Sequence, residues 1–388
     1  MIRWTLFRHR LSVLISAGLL FSFQTVLQAQ SLANWTIRGS FSNVCLFGAT
    51  YANNLFVTVG GELGGDGNYV RGVIMTSATG DAWTSRASGT MDALQAVTYG
   101  NGTFVTVGYL GRILTSPNGA TWTIRNSGSF YSLNGVAFGN GRFVAVGESG
   151  FVQTSTDGIN WSGSNLGSFN LHAICYGNGQ FVAVGKFGVV LTSADGLNWK
   201  RSESGTRSDL FGVAFGKGIF VAVGAFDALT LTSSVLTSSD GIHWTSRPVA
   251  TNEYLYGIAY GGSVFTAVGH PRTAFTSTGG ANWTQRQTPN EGFLYAAAYG
   301  NATFVAMGET NILQSESFVG LEVRRNAFSE LIITGPVGRS HRIEVTDRFG
   351  PADWRTVATI TASTSPYSWI DGQSVNAPTR FYRTFLLP

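Results

Sequence analysis

A phenylalanine followed by Val-x-Val-Gly, or a close variant, returns along most of this chain. It stands at Phe56, Phe104, Phe143, Phe181, Phe220, Phe265 and Phe304, at intervals, by subtraction, of 48, 39, 38, 39, 45 and 39 residues. A leucine opens each unit, at Leu46, Leu94, Leu133, Leu171, Leu210, Leu255 and Leu294, and a tryptophan closes most of them, at Trp83, Trp122, Trp161, Trp199, Trp244 and Trp283. Three markers holding one register mean that a single supersecondary unit of about 40 residues has been copied along the chain.

The third unit shows the grammar. Its apolar runs are Leu133–Phe138, Phe143–Val146, Phe151–Ser155 and the run from Trp161. They are separated by Gly139-Asn140-Gly141, by Gly147 to Gly150 and by Asp157-Gly158. Asp-Gly between apolar runs predicts a hairpin turn with positive φ at both central positions. The runs are short and show no helical period. Four short antiparallel strands per repeat make the blade of a β-propeller. Small residues on the first strand, such as Gly135 and Ala137, Ala173 and Cys175, or Gly212 and Ala214, suit the crowded centre of such a ring. The tryptophan on the last strand suits the wide wedge between blades. Blades buried on both faces account for the nearly continuous apolar runs.

The two ends of the repeat region complement each other. Ala33-Asn34-Trp35-Thr36-Ile37-Arg38 copies Ala281-Asn282-Trp283-Thr284-Gln285-Arg286, the last strand of the sixth unit, while the seventh unit loses its closing tryptophan after Leu313. The expected fold is therefore all-β: a seven-bladed propeller over residues 33–320, closed by the N-terminal strand, which leaves no sheet edge unpaired. Units one and five carry inserts, Gly60 to Arg71 and Ala225 to Ser234, both between second and third strands and so on one end of the ring.

Residues 1–29 read as an export leader. Arg3, Arg8 and Arg10 precede the apolar run Leu11 to Leu27, and Ala29 or Ala33 offers a small-residue cleavage site. The run falls short of a membrane span, so the mature chain is expected to be soluble, without a membrane span, and secreted, on the cell surface or in the periplasm. Lys+Arg are 25 against Asp+Glu 21; the leader holds three arginines and no acid, leaving 22 against 21, or +1. No basic cluster survives, which excludes nucleic acid and anionic membrane as expected partners. Cys45, placed before the first strand of unit one, and Cys175, in that of unit four, fall nearly opposite each other in a seven-membered ring, so two free thiols are expected.

The repeats stop near Gly320. Residues 321–388 read as six strands, Leu321–Arg325, Leu331–Thr334, Arg342–Thr346, Trp354–Ile360, Tyr367–Ile370 and Arg380–Leu387, which suit a small β-sandwich. Gly335-Pro336-Val337-Gly338, Arg342-Ile343-Glu344, Trp354 and Arg380-Phe381-Tyr382-Arg383 resemble the fibronectin-type terminal module of secreted bacterial repeat proteins. In the propeller, Ser155-Thr156-Asp157-Gly158, Ser193-Ala194-Asp195-Gly196 and Ser238-Ser239-Asp240-Gly241 resemble the Asp-box of sialidase-like propellers, with one residue fewer between Asp and Gly. The repeat as a whole resembles propellers of the photosystem II assembly-factor type and secreted bacterial relatives. The resemblance implies that these boxes tie down turns far from any active site.

For function, the end that carries the inserts also carries the most varied residues. They are Tyr109, Glu148, Lys186, Phe187, Phe226, Asp227, His270, Arg272 and Glu309, beside Phe130, Tyr131, Phe169, Tyr254 and Phe293 on the connections between units. Variation on loops over a uniform scaffold is how a binding face arises. The first expectation is a non-catalytic extracellular binding or scaffold protein for a glycan or protein. The alternative is a carbohydrate-active enzyme, hydrolase or lyase, drawing on Glu62, Asp66, Glu148, Asp227 and Glu309; converging carboxylates would favour it, a ring of aromatics would favour binding. A sialidase would need an arginine cluster, yet the arginines mostly follow the repeated tryptophan, as at Arg86, Arg125 and Arg286. No metal-ligand spacing occurs and no cofactor is expected; of the histidines, only His270 invites attention, with His243 at a surface repeat position.

Overall fold

The computed structural model describes residues 11–13, 32, 34–227, 230–251, 253–317, 320–325, 329–346, 354–372 and 381–387, with only the backbone for 11–13, 320–325, 381 and 385. The chain divides into two compact units, one built on Leu32–Gly300 with Phe304–Ser315, the other on Glu316–Pro388 with Met1–Ser31 and Asn301–Thr303.

Among the described residues, the larger unit holds seven four-stranded antiparallel sheets. They are numbered by their first strands: Val44–Ala52, Leu94–Gly100, Leu133–Gly139, Leu171–Gly177, Leu210–Gly216, Leu255–Gly261 and Leu294–Gly300. Sheet 3 continues through Arg142–Gly147, Phe151–Ser155 and Ser162–Asn165, each paired with its predecessor. The repeated phenylalanine is fully buried in every sheet. Each apolar cluster draws on neighbouring sheets: Val105, Val107 and Ile113 of sheet 2 pack with Leu133, Val136 and Phe143 of sheet 3. This is the physical reason for apolar runs without alternation.

The first strands lie side by side, each against the next, and that of sheet 7 against that of sheet 1. Small residues permit the approach, since a side chain at Gly48 would meet the backbone of Gln95 and Ala96. Gly300 lies flat under the Tyr51 ring, where a methyl group would overlap it. The outer strand of sheet 7 is Trp35–Ser40, antiparallel to Asn311–Ser315, with Trp35 opposite Ser315 and Ile37 opposite Leu313. Arg38 Nε donates to Gln314 Oε1 at 2.8 Å and Ser40 Oγ to Asn311 Oδ1 at 3.0 Å across that seam.

The turns differ from expectation in one respect. Asn140 and Gly141 both take positive φ (46° and 71°), but in the Asp-Gly segment only Gly158 does (74°). Asp157 instead uses its carboxylate, accepting the N–H groups of Ile159 and Asn160 at 2.8 Å, while Ser155 Oγ accepts Gly158 N–H at 2.8 Å. The side chain replaces a tight turn, so the segment is a longer, self-capped loop. Except for Trp35, the tryptophans fall just before the outer strands rather than on them, Trp161 preceding Ser162–Asn165, and Trp161 Nε1 donates to Gly158 O at 2.9 Å. Three single 3-10 turns, Tyr109–Gly111, Glu148–Gly150 and Lys186–Gly188, were not legible in the periodicity. The inserts lengthen two hairpins, Leu55–Leu63 with Tyr69–Ser77 and Ile219–Asp227 with Thr232–Ser238. Cys45 lies within a first strand rather than before it, and Cys45 and Cys175 are both free thiols.

In the second unit, Gly320–Arg325, Ser329–Thr334 and Tyr367–Asp371 form a three-stranded sheet. Ser340–Thr346, Arg355–Thr361 and Phe381–Leu386 form a sheet whose fourth strand is Leu11–Val13. Leu331 and Ile333 of the first share one buried cluster with Ile343, Val345 and Tyr382 of the second. Apart from those three residues, the expected leader, 1–29, lies outside the described residues. Among the described residues no helix is long and apolar enough to cross a membrane.

Candidate functional site

In six of the seven sheets the first strand slips register just after its leucine. In sheet 3, Leu133 pairs with Gly147 but Gly135 pairs with Val146, leaving Asn134 as an extra residue, and sheets 1, 2, 4, 5 and 6 do the same. A bulge lifts a residue off the ladder and re-aims its side chain. The residue after the leucine is Phe47, Gln95, Asn134, His172, Phe211, Tyr256 and Tyr295 in turn, half-buried in every sheet. Because Leu133 pairs with Gly147, next to Glu148, these seven residues sit at the same end as the second-to-third-strand loops.

They touch from sheet to sheet. Ring centroids are 5.4 Å apart for His172 and Phe211, 5.2 Å for Phe211 and Tyr256, 5.4 Å for Tyr256 and Tyr295, and 5.4 Å for Tyr295 and Phe47. Asn134 Nδ2 donates to Leu171 O at 2.8 Å on the other side. Tyr69 extends the series from Phe47 (5.8 Å) to Tyr109 (5.8 Å), and Tyr254 and Phe293 flank Tyr256 at 6.1 Å each. The result is a mouth with an aromatic arc on sheets 5, 6, 7 and 1 and a polar arc, Gln95, Asn134 and His172, on sheets 2, 3 and 4.

Of the residues singled out from sequence, several join this mouth. Tyr109 packs on Tyr69 and bonds to Gln95, and Glu148 bears on its phenol. Glu309 Oε1 accepts the Tyr295 hydroxyl at 2.8 Å and its Oε2 accepts Phe293 N–H at 3.3 Å. His270 stands edge-on to Phe293 at 5.5 Å. Lys186 lies 5.1 Å over the ring of Phe187, and Phe187 N–H donates to Asp209 Oδ1 at 2.8 Å. Phe187 is 67% exposed with φ 57°, a conformation bulky residues seldom adopt. Phe226 and Asp227 form rungs of the long hairpin with Ser233 and Thr232, and Arg272 is held by Glu291 at 2.8 Å.

The electrostatics follow from burial. Desolvation holds the Tyr295 phenol well above its ordinary range, helped by the bond to Glu309. Tyr69, Tyr109 and Tyr256 are raised chiefly for the same reason, so all four are neutral donors at physiological pH. Burial lowers His172, which is therefore neutral too. Three arginines of this end are committed, Arg112 to Asp92, Arg71 to Glu62 and Arg272 to Glu291. Among the described residues no group of three or more His, Cys, Asp and Glu could hold a metal.

Sequence reasoning missed the bulged positions, and His172 rather than His270 alone is the histidine of the inner circle. One signal was available: the position after each opening leucine reads Phe, Gln, Asn, His, Phe, Tyr, Tyr, varied within an otherwise uniform strand.

No protein-family model matches the sequence, and no curated protein matches it. Among solved structures the chain is similar to YCF48 from Cyanidioschyzon merolae, with TM-score 0.56 and 16% identity over 73% of this chain and 99% of that one. It is similar to YCF48 bound to a D1 peptide, with TM-score 0.55 and 16% identity over 73% and 96%. It is also similar to the Pan2 WD40 domain of Neurospora crassa, with TM-score 0.54 and 9% identity over 74% and 96%. At these identities the likeness is one of fold, and that fold is the β-propeller.

Proposed function

We propose that this chain is a non-catalytic binding propeller that receives a segment of a partner protein on its aromatic mouth. The observation that carries this reading is the unbroken series of touching rings from Tyr109 through Tyr69, Phe47, Tyr295 and Tyr256 to Phe211. Half-exposed aromatics beside a few polar groups are what a protein-binding face needs. A solved structure of YCF48 holds a D1 peptide, which supports a polypeptide over a glycan as ligand class. In the same reading the seven sheets are seven blades, closed into a ring by Trp35–Ser40. The C-terminal unit is a fibronectin-like sandwich, and residues 1–29 direct export to the periplasm, the cell surface or beyond.

The enzymatic alternative has less support. Glu62 is ion-paired, Asp66 caps Asn68, and Glu148 and Glu309 each hold connecting backbone. The three Asp-Gly carboxylates are spent on their own turns, which fits the structural role expected of Asp-box-like segments.

Probing the mature chain against peptide and glycan arrays tests the reading. Peptide capture should fall about tenfold or more in a Phe211→Ala, Tyr256→Ala double variant and stay unchanged in Asn140→Gly, which keeps the positive φ of the opposite end. Equal losses from both, or capture of glycans alone, would refute it.

A further inference from the structure

We propose that the corner of this mouth between sheets 6 and 7 is a cation site that takes the primary ammonium of a lysine side chain on the partner polypeptide. The inference rests on reading the mouth as the binding face and names what that face selects. Glu309 lies at the foot of the aromatic arc. Each of its carboxylate oxygens accepts one bond, from Tyr295 OH and from Phe293 N–H. The Tyr295 ring is in turn met by Phe47, Tyr256 and Phe293, at 5.4, 5.4 and 6.4 Å. Gly292 leaves the approach open, since a Cβ there would stand 3.3 Å from Glu309 Oε2.

Among the described residues no cation pairs with Glu309, whereas Glu62, Asp92 and Glu291 on the same end each hold an arginine. Burial is the main reason that Tyr69, Tyr256, Tyr295 and Cys45 are all raised, and the Glu309 charge adds to it in each case. Glu148, at the same repeat position, accepts Ser132 N–H and bears on the Tyr109 phenol, without a tyrosine hydroxyl bonded to it among the described residues. On the far side of Phe293, His270 stands 3.9 Å from Glu253 Oε1, and Glu253 Oε2 is buried with no hydrogen-bond partner among the described residues. A half-buried carboxylate among aromatic faces is stabilised by a cation. A carboxylate is held best by a cation that also donates N–H, which a quaternary ammonium does not. Because each Glu309 oxygen is already engaged once, a compact ammonium suits it better than the bidentate fork of a guanidinium.

The test titrates the mature chain, with ring-labelled tyrosine, by N-acetyl-lysine methylamide, its neutral norleucine isostere, the arginine counterpart and choline. The lysine probe should shift the Tyr256 and Tyr295 ring signals at millimolar concentration and weaken as salt is added. Norleucine, choline and the Glu309→Gln variant with lysine should each bind about tenfold more weakly. The amide oxygen of the Glu309→Gln variant would still accept the Tyr295 hydroxyl, so unchanged signals elsewhere report an intact fold. No shift with lysine, equal binding of norleucine, or an unaffected Glu309→Gln variant would overturn the proposal, and tighter binding of choline or arginine would overturn its assignment to lysine. If array capture is lost in the Phe211→Ala, Tyr256→Ala variant but ignores Glu309→Gln and the lysine content of the peptides, the cation site falls and the binding face stands. If capture ignores both variants, both fall.

Discussion

Trp35→Ala should open the propeller at one seam. Trp35 is 7% exposed and begins the strand that covers Asn311–Ser315, whose Ile312 and Leu313 are fully buried. Truncating a buried tryptophan typically costs about 3–5 kcal/mol. A natural domain has only about 5–15 kcal/mol in hand, so a large share of the stability rides on one residue remote in sequence from its partners. The Arg38–Gln314 and Ser40–Asn311 bonds do not replace it, because they depend on the strand staying docked. Urea unfolding of the purified protein measures the loss, and hydrogen exchange locates it. Amides of Asn311–Ser315 should lose protection first, while those of sheet 3 hold. A truncation lacking residues 33–40 should aggregate, and a synthetic peptide spanning 32–42 should restore it. A change below about 0.5 kcal/mol, typical of an ordinary surface substitution, with unaltered protection at Asn311–Ser315, would refute closure through this strand.

Trp161→Phe removes the bond from Nε1 to Gly158 O and should lower stability by about 1 kcal/mol. Trp35→Phe removes an indole N–H that is buried without a partner and should be neutral or stabilising in the same melts. Backbone donors from Asn160 and Asn198, and the His243 ring, hold Asp157, Asp195 and Asp240 below the usual carboxylate range. Depressed folded values stabilise above the ordinary carboxylate pKa of about 3.9 and are lost as pH falls below it. The acid limb of a pH–stability profile should therefore flatten in the Asp157→Asn, Asp195→Asn, Asp240→Asn variant, and an unchanged limb would count against the turn bonds. Burial pushes both the Cys175 and Cys45 thiols up, so both should resist alkylation at neutral pH until unfolded. A linked Cys45–Cys175 peptide in a non-reduced mass spectrum would contradict the placement of those strands.

The strands were legible because their determinants are local. Phe143, Asn140-Gly141 and Trp161 each mark a run or a turn within a few residues, and copying along the chain removed the ambiguity of any one unit. The Asp-Gly turn was misread because the dipeptide fixes a type only where nothing competes, and here the Asp157 carboxylate competes by capping Ile159 and Asn160. Of the residues singled out for function, Tyr109, Glu148, His270 and Glu309 border the mouth, whereas Phe226 and Asp227 lie on the long hairpin opposite Ser233 and Thr232 and Arg272 pairs with Glu291.

By itself, then, the sequence determined the all-β class, the repeat, its register and the end of the molecule where variation collects. Each of these is written in short-range periodicity and in turn chemistry. Only the tertiary structure decided that Phe47, Phe211, Tyr256 and Tyr295 meet. In sequence they are separated by whole repeats, and each looks like an ordinary strand residue. A one-residue bulge takes Phe47, Phe211 and Tyr256 off the ladder, and the side-by-side packing of the first strands gathers them with Tyr295 into one mouth. Contacts between sheets depend on the relative placement of distant segments, and no local pattern carries that information.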